Sequence, residues 1–259
     1  MRRALGQLAG ALRRYRDESV LRRSSSGFER ALDDAVRIPG FTSPIELSFL
    51  YHASLALPGR GRVVEIGSYL GRSTLVLARA AADAGRRPVV AVDPHTGDLT
   101  HPDLERLDTR DQFLTNMETA GVADQVHLVQ ATSVEAAQSW PDDPVELLFV
   151  DGLHTYDAVQ ADVQEWSRFL AGGACVVLDD YLVYPEVRSA VRELRGCGRL
   201  EGAAAIVGKM IAFADPCLFA RLPMPPGARI MSLLGDRSIE RLNRALEWAL
   251  AQRPPSAAA

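Results

Sequence analysis

The sequence predicts an α/β protein, a seven-stranded and mostly parallel sheet with an antiparallel last strand, flanked by helices at both ends of the chain. Two observations carry this. From Arg62 onward, short β-branched apolar runs alternate with stretches of helical periodicity, the signature of repeating strand–helix units. Further on, two apolar runs over residues 200–213 are separated only by a turn near Gly208-Lys209, which leaves no room for a crossover helix, so the second must run antiparallel to the rest.

In chain order, Leu5, Leu8, Leu12 and Tyr15 follow helical spacing, as do Phe28, Leu32, Ala35 and Val36, until Pro39-Gly40 interrupts them. Ser43 or Thr42 can cap a third helix with Pro44 in its first turn, stopped by Pro58-Gly59. Strands are then expected over 63–66, 89–92, 126–129, 145–150 and 174–178. Between them fall helices over 72–84, over 102–120, from Ser133, and over 155–170, the last ending at Gly172-Gly173. A helix from Pro185 precedes the hairpin. A proline-rich linker at 223–226 and an amphipathic helix over 236–251 follow it. The organisation is a helical segment at 1–59, a sheet unit at 60–215 and a linker with a helix at 216–259, with one composite domain favoured by the length of 259 residues.

Composition narrows the class. At 47% hydrophobic and 24% charged residues, the chain excludes collagen-like, disordered and disulfide-scaffold classes. No apolar run approaches the roughly 20 residues of a membrane span, so no membrane association is expected. Cys175, Cys197 and Cys217 lack CxxC spacing, and residues 1–26 lack a secretory core, which together point to the cytoplasm. The net charge of −4 divides into +5 over residues 1–30 and −9 elsewhere, which argues against a nucleic-acid surface. Lys209 is the sole lysine among 29 basic residues, a bias attributed to codon composition.

Ligands of an open α/β sheet bind beyond the carboxyl ends of its strands, and those positions are polar here. After the first strand run come Glu65, Gly67, Ser68, Tyr69, Gly71 and Ser73, a glycine loop opening a helix. Its GxxxG spacing lacks the middle glycine of a dinucleotide fingerprint and the Gly-Lys-Ser/Thr of a P-loop. The same turn can serve packing alone. Asp93 ends the second strand, where a carboxylate can accept both hydroxyls of a ribose diol, or simply cap a turn. Thr132 and Ser133 follow the third strand and offer hydroxyls and N–H groups to an adenine edge.

Asp151 ends the fourth strand and Asp179 and Asp180 the fifth, and neighbouring strand ends bring the three together. Such a cluster repels itself unless protonated or neutralised, and an oxygen-liganded Mg²⁺ is the economical explanation; capping of the next segment by Asp179 or Asp180, with Asp151 contacting Tyr156 or a backbone amide, is the plainer one. His154 reaches the same cavity and has the ordinary pKa range of a general base, with His95 its competitor.

These residues resemble the class I S-adenosylmethionine-dependent methyltransferases, specifically the divalent-cation-dependent small-molecule O-methyltransferases. The stretch from Glu65 to Ser73 is similar to the glycine loop of the catechol O-methyltransferase type. The block Val150-Asp151-Gly152-Leu153-His154-Thr155-Tyr156 is similar to the VDG-x-H-x-Y of bacterial sugar and macrolide O-methyltransferases. The resemblance spans roughly residues 60–215 and implies a Rossmann-like methyltransferase fold. It further implies that Glu65, Gly67, Tyr69 and Ser73, with Ser68 and Gly71 in the same loop, hold the methionine part of S-adenosylmethionine. Asp93 would take the ribose and Ser133, beside Thr132, the adenine. Asp151, which also borders the cofactor, would bind Mg²⁺ or another divalent cation with Asp179 and Asp180, and His154 would be the base. No acidic residue matches the one that grips a second catechol hydroxyl, so a sugar or alcohol acceptor is favoured over a catechol. The terminal helices are candidates for a homo-oligomer contact.

Overall fold

The computed structural model describes residues 26–97 and 108–222. The helix expected near Leu5, the basic start of the chain, the beginning of the helix expected over 102–120, the linker at 223–226 and the helix expected over 236–251 lie outside the described residues.

The described elements are α1 (Ser26–Ala35), α2 (Pro44–Ala56), β1 (Arg62–Ile66), α3 (Arg72–Asp83), β2 (Val89–Val92), α4 (Arg110–Thr119), β3 (Val126–Val129), α5 (Ser133–Gln138), β4 (Val145–Val150), α6 (Tyr156–Trp166), β5 (Leu170–Leu178), α7 (Pro185–Gly196), β6 (Ala203–Val207), β7 (Met210–Ala214) and α8 (Pro216–Arg221). One seven-stranded sheet runs in the order β3-β2-β1-β4-β5-β7-β6. β1 to β5 pair in parallel, and β7 lies antiparallel between β5 and β6, as a hairpin without a crossover requires.

β1, β2, β4 and β7 are buried on both faces because helices cover both, whereas the edge strand β3 is only partly buried. Alternate residues divide between two layers with the period of two that a strand imposes. Val64, Ile66, Leu148, Val150, Val176 and Leu178 pack with Val163 and Trp166 of α6 and Val187 and Val191 of α7. Val63, Leu147, Phe149, Cys175 and Val177 face Phe49 and Leu50 of α2, Leu77 of α3, and Leu218 and Phe219 of α8. Phe28 and Ala31 of α1 pack with Leu75 and Val76 of α3. The helices before the sheet therefore share its core.

Two boundaries differ from expectation. The helix expected to run to residue 170 stops at Trp166, and β5 begins at Leu170, so Gly172-Gly173 lies inside the strand. Leu170 pairs with Val145, and the register then shifts before Leu147 meets Cys175; the glycines absorb that irregularity. The segment after β7, read as linker, contains α8, where the Asp215 carboxylate accepts the Cys217 N–H at 2.7 Å and Pro216 sits in the first turn. No helix among the described residues is long and apolar enough to cross a membrane.

β1 lies between β2 and β4, so the strand order reverses there and a crevice opens beyond the carboxyl ends.

Candidate active site

A cavity of about 570 Å³ fills that crevice. Its floor at one end is the β1–α3 turn. Gly67, at φ +83°, donates its N–H to the Val92 carbonyl at 2.9 Å, and Tyr69 and Gly71 also take left-handed conformations. Gly71 is needed for its φ of +91° and because a Cβ there would lie 2.4 Å from Met117 Cε. Gly67, Ser68, Tyr69 and Ser73 line the cavity, whereas Gly71 packs behind it against Met117 and Phe113. Glu65 is fully buried beneath the turn, bonded by the Thr74 hydroxyl. Burial, opposed by its hydroxyl bonds, pushes its carboxyl up to about 7.

Asp93 lines the cavity and also ties the turn to β2. Its Oδ2 accepts the N–H of Ser68 at 2.7 Å and of Tyr69 at 2.9 Å, and its Oδ1 accepts that of His95 at 2.7 Å. His95 itself is buried behind the wall. Its Nδ1 lies 2.8 Å from Thr109 Oγ1 and its ring packs on Phe113, with burial holding its pKa down. Of the two competing histidines, His154 is the one on the cavity wall.

At the third strand end, Thr132 and Ser133 both line the cavity, with hydroxyls that also serve the fold. Thr132 forms a capping box with Glu135, and Ser133 Oγ accepts the Trp166 indole N–H at 3.0 Å. Asp162 of α6 stands beside Ser133, and burial pushes its carboxyl up to about 6.

The opposite end carries the charge. Asp151, His154 and Asp180 line the cavity, with His154 Nε2 2.9 Å from Asp180 Oδ2 and 3.8 Å from Asp151 Oδ1. The His154 ring stacks on Tyr184 at 4.6 Å and 13°. Burial alone would depress the imidazole, but the two carboxylates outweigh it and push its pKa up to about 10. Asp180 adopts φ +54°, a conformation that a non-glycine residue holds only when its surroundings impose it. Asp179 is buried behind Asp180, where it binds the Lys209 ammonium; burial and the nearby Asp151 push its carboxyl well above the usual range. Burial also raises Asp151, while His154 and Lys209 more than offset burial at Asp180 and hold it low. The alternative contact of Asp151 with Tyr156 is not formed, because the Tyr156 hydroxyl bonds Glu193 of α7.

Asp151, His154 and Asp180 each present an atom that could ligate a metal ion, all within 4.8 Å of one another; the two carboxylates are the hard oxygen donors among them, and the imidazole is the group they pair with. Asp179, the third expected ligand, instead meets Lys209.

Several cavity residues escaped the sequence reading. Arg72 Nε donates to the Ile38 carbonyl at 2.7 Å and its Nη1 to the Thr42 carbonyl at 3.3 Å, which holds the segment between α1 and α2 as a side wall. Phe41 of that wall faces Tyr69 at 6.1 Å, and Phe41, Leu153 and Val183 leave apolar surface exposed at the cavity. Lys209 was legible only as the single lysine of the chain.

Residues 64–181 match the family described as "Methyltransferase domain". A catechol O-methyltransferase of Mycobacterium tuberculosis is 29% identical over 153 residues, which are 59% of this chain and 62% of that protein; the chain thus spans less than two thirds of this relative. Among solved structures, a Podospora anserina methyltransferase bound to S-adenosylhomocysteine superposes with a TM-score of 0.60 at 14% identity over 81% of this chain and 95% of that one. A Bacillus cereus O-methyltransferase in complex with S-adenosylhomocysteine gives 0.52 at 18% identity over 74% and 92%. At such identities the structural likeness establishes the fold. The match runs from within β1 through the strand-five aspartates to Tyr181, so the part of the chain that builds the cavity is similar to the methyltransferase-domain family.

Proposed function

We propose that this protein transfers a methyl group from S-adenosylmethionine to a hydroxyl of a small molecule, with residues 60–215 as the cofactor-binding unit. The observation that carries the reading is a single cavity with two chemically distinct ends: the glycine turn with Asp93 at one, and Asp151, His154 and Asp180 at the other. Gly67, Ser68, Tyr69 and Ser73 hold the methionine part, Asp93 the ribose, and Thr132 and Ser133 the adenine. Glu65 and Gly71, behind the lining, shape the turn.

Asp151 and Asp180, with Asp179 behind them, are the carboxylates that would hold Mg²⁺ or a similar ion, whose contribution when bound is to polarise an acceptor hydroxyl. His154 takes the proton of that hydroxyl. It acts in its neutral form, so the carboxylates that retain its proton must be engaged elsewhere as the reaction proceeds. The apolar walls exclude water and fix the acceptor in line, from which most of the acceleration derives.

The acceptor is a hydroxylated small molecule, with the sugar of a glycosylated natural product favoured over a catechol. The exposed Phe41, Leu153 and Val183 supply apolar surface for the rest of such a molecule. The proposal includes a cytoplasmic location, no nucleic-acid or membrane partner, and a homo-oligomer through the terminal helices.

Calorimetry with S-adenosylhomocysteine and a turnover assay over a panel of glycosylated alcohols, with Mg²⁺ and with EDTA, tests the reading. Absence of S-adenosylhomocysteine binding overturns it; turnover unchanged in EDTA overturns its metal component alone.

A further inference from the structure

The single lysine of the chain, Lys209, occupies the two-residue turn between β6 and β7. Because β7 lies antiparallel to β5, with Ile211 opposite Leu178, that turn projects beyond the carboxyl end of β5, where Asp179 and Asp180 follow. The Lys209 ammonium bonds Asp179 Oδ2 and lies 3.0 Å from Asp180 Oδ1.

The turn is held from two sides. The Lys209 N–H donates to Glu46 Oε1 at 2.7 Å, and its carbonyl accepts the Leu182 N–H at 3.1 Å. Glu46 is buried, and its other oxygen accepts both the N–H and the hydroxyl of Ser43 at 2.7 Å. Gly208, at φ +61°, lets the turn approach this carboxylate, since a Cβ there would lie 2.2 Å from Glu46 Oε1. The first turn of α2 thereby aims the ammonium at the aspartates.

Adjacent carboxylates such as the buried Asp179 and the half-buried Asp180 repel each other unless a cation stands between or beside them. Here a side chain supplies that cation at the carboxylates expected to take a metal ion. A dication and an ammonium within about 4 Å of the same oxygens repel strongly in a partly desolvated site.

We propose that Lys209 is the resident counter-cation of the Asp179–Asp180 pair, and that a divalent ion enters this cluster by displacing its ammonium. The inference rests on the proposed function only in that the latter assigns a metal to these aspartates. S-adenosylhomocysteine binding, measured in parallel, reports separately on the cofactor end.

The test titrates Mn²⁺ into the full chain and into Lys209→Met and Lys209→Arg by calorimetry. Lys209→Met binds Mn²⁺ at least about tenfold more tightly than the parent, or binds it where the parent does not, while Lys209→Arg, which keeps the charge, stays within about threefold; tenfold corresponds to about 1.4 kcal/mol. Equal or weaker Mn²⁺ binding by Lys209→Met, or no binding by any of the three, overturns the proposal.

Should Lys209→Met fail to fold, the parent protein answers alone. Acetylation by an amine-selective reagent, read by mass spectrometry on the tryptic fragment between Arg199 and Arg221, reports on one lysine. Displacement by saturating Mn²⁺ speeds that acetylation at least about fivefold, set by the ammonium leaving its carboxylates. A rate unchanged or slowed under Mn²⁺ overturns the proposal.

Discussion

Gly67 and Asp151 stand back to back at the carboxyl ends of β1 and β4: a Cβ on Gly67 would lie 2.1 Å from the Asp151 carbonyl oxygen. The contact joins the glycine turn to the acid end of the cavity, and its φ of +83° penalises any side chain. Gly67→Ala is expected to lose at least about 2 kcal/mol of stability from strain and overpacking together, and to weaken S-adenosylhomocysteine binding at least about tenfold. Calorimetry and urea denaturation check both. Parent-like values in the two measurements would remove Gly67 from the site.

His154, 2.9 Å from Asp180 Oδ2, is the proton acceptor in the proposed reaction. His154→Gln keeps a polar side chain but cannot take up a proton, so methyl transfer should fall at least about a hundredfold, within the range of general-base contributions. S-adenosylhomocysteine affinity should stay within about threefold, because His154 belongs to the opposite end of the cavity. Single-turnover kinetics and calorimetry separate the two quantities. An unchanged rate assigns proton removal to another group.

Glu65 gives the fold a pH dependence with a definite sign. Its carboxyl titrates near 7 when folded against an ordinary 4.5, because burial opposes its charge. Between those values the folded protein holds a proton that the unfolded chain has released, so stability is highest at low pH and declines as pH rises through about 7. The total is on the order of 3 kcal/mol. Glu65→Gln, which carries no charge at any pH, should remove this component. Urea denaturation at pH 5 and pH 8 measures it, and parallel behaviour of parent and variant would refute it.

How much of this was readable beforehand depends on the distance over which each feature is determined. β2 and β4 were legible because strands buried on both faces are continuous apolar runs, β1, β3 and β5 because β-branched residues cluster in them, and the residues after all five fall at the crevice by topology alone. Gly172-Gly173 misled because two glycines look like a helix stop locally, whereas pairing of Leu170 with Val145 draws the strand through them. The wall at Phe41 and Thr42 depends on Arg72, some thirty residues away, donating to backbone carbonyls that carry no sequence signature. Lys209 reaches Asp179 only because β7 inserts between β5 and β6, and a hairpin read in sequence does not say which of its strands lies inside. Its uniqueness in the composition was the available signal. Asp93 was expected at the cavity, but its three backbone N–H bonds belong to a conformation of the turn that spacing does not encode.

Far from the cavity, at the start of β4, Glu146 and Arg86 form an ion pair of 2.8 Å whose side chains are 5% and 3% exposed. Glu146 also accepts the N–H groups of Gly59 at 2.9 Å and Arg60 at 3.0 Å, and Arg86 bonds the Leu57 carbonyl, so the pair fastens the α2–β1 connection to β4 and the end of α3. Burial alone would raise the Glu146 carboxyl, yet Arg86 and these N–H groups hold it below its usual range. Removing one partner leaves a buried charge without its counter-ion, and Arg86→Ala should cost about 3 to 5 kcal/mol. The double variant Arg86→Met with Glu146→Leu restores an uncharged, filled site and should cost less than Arg86→Ala alone, since the penalty lies in the stranded charge rather than in the loss of attraction. Urea midpoints at constant m-value measure the series. A double variant less stable than Arg86→Ala would instead show that the backbone bonds of Glu146, and not its pairing with Arg86, secure this end of the sheet.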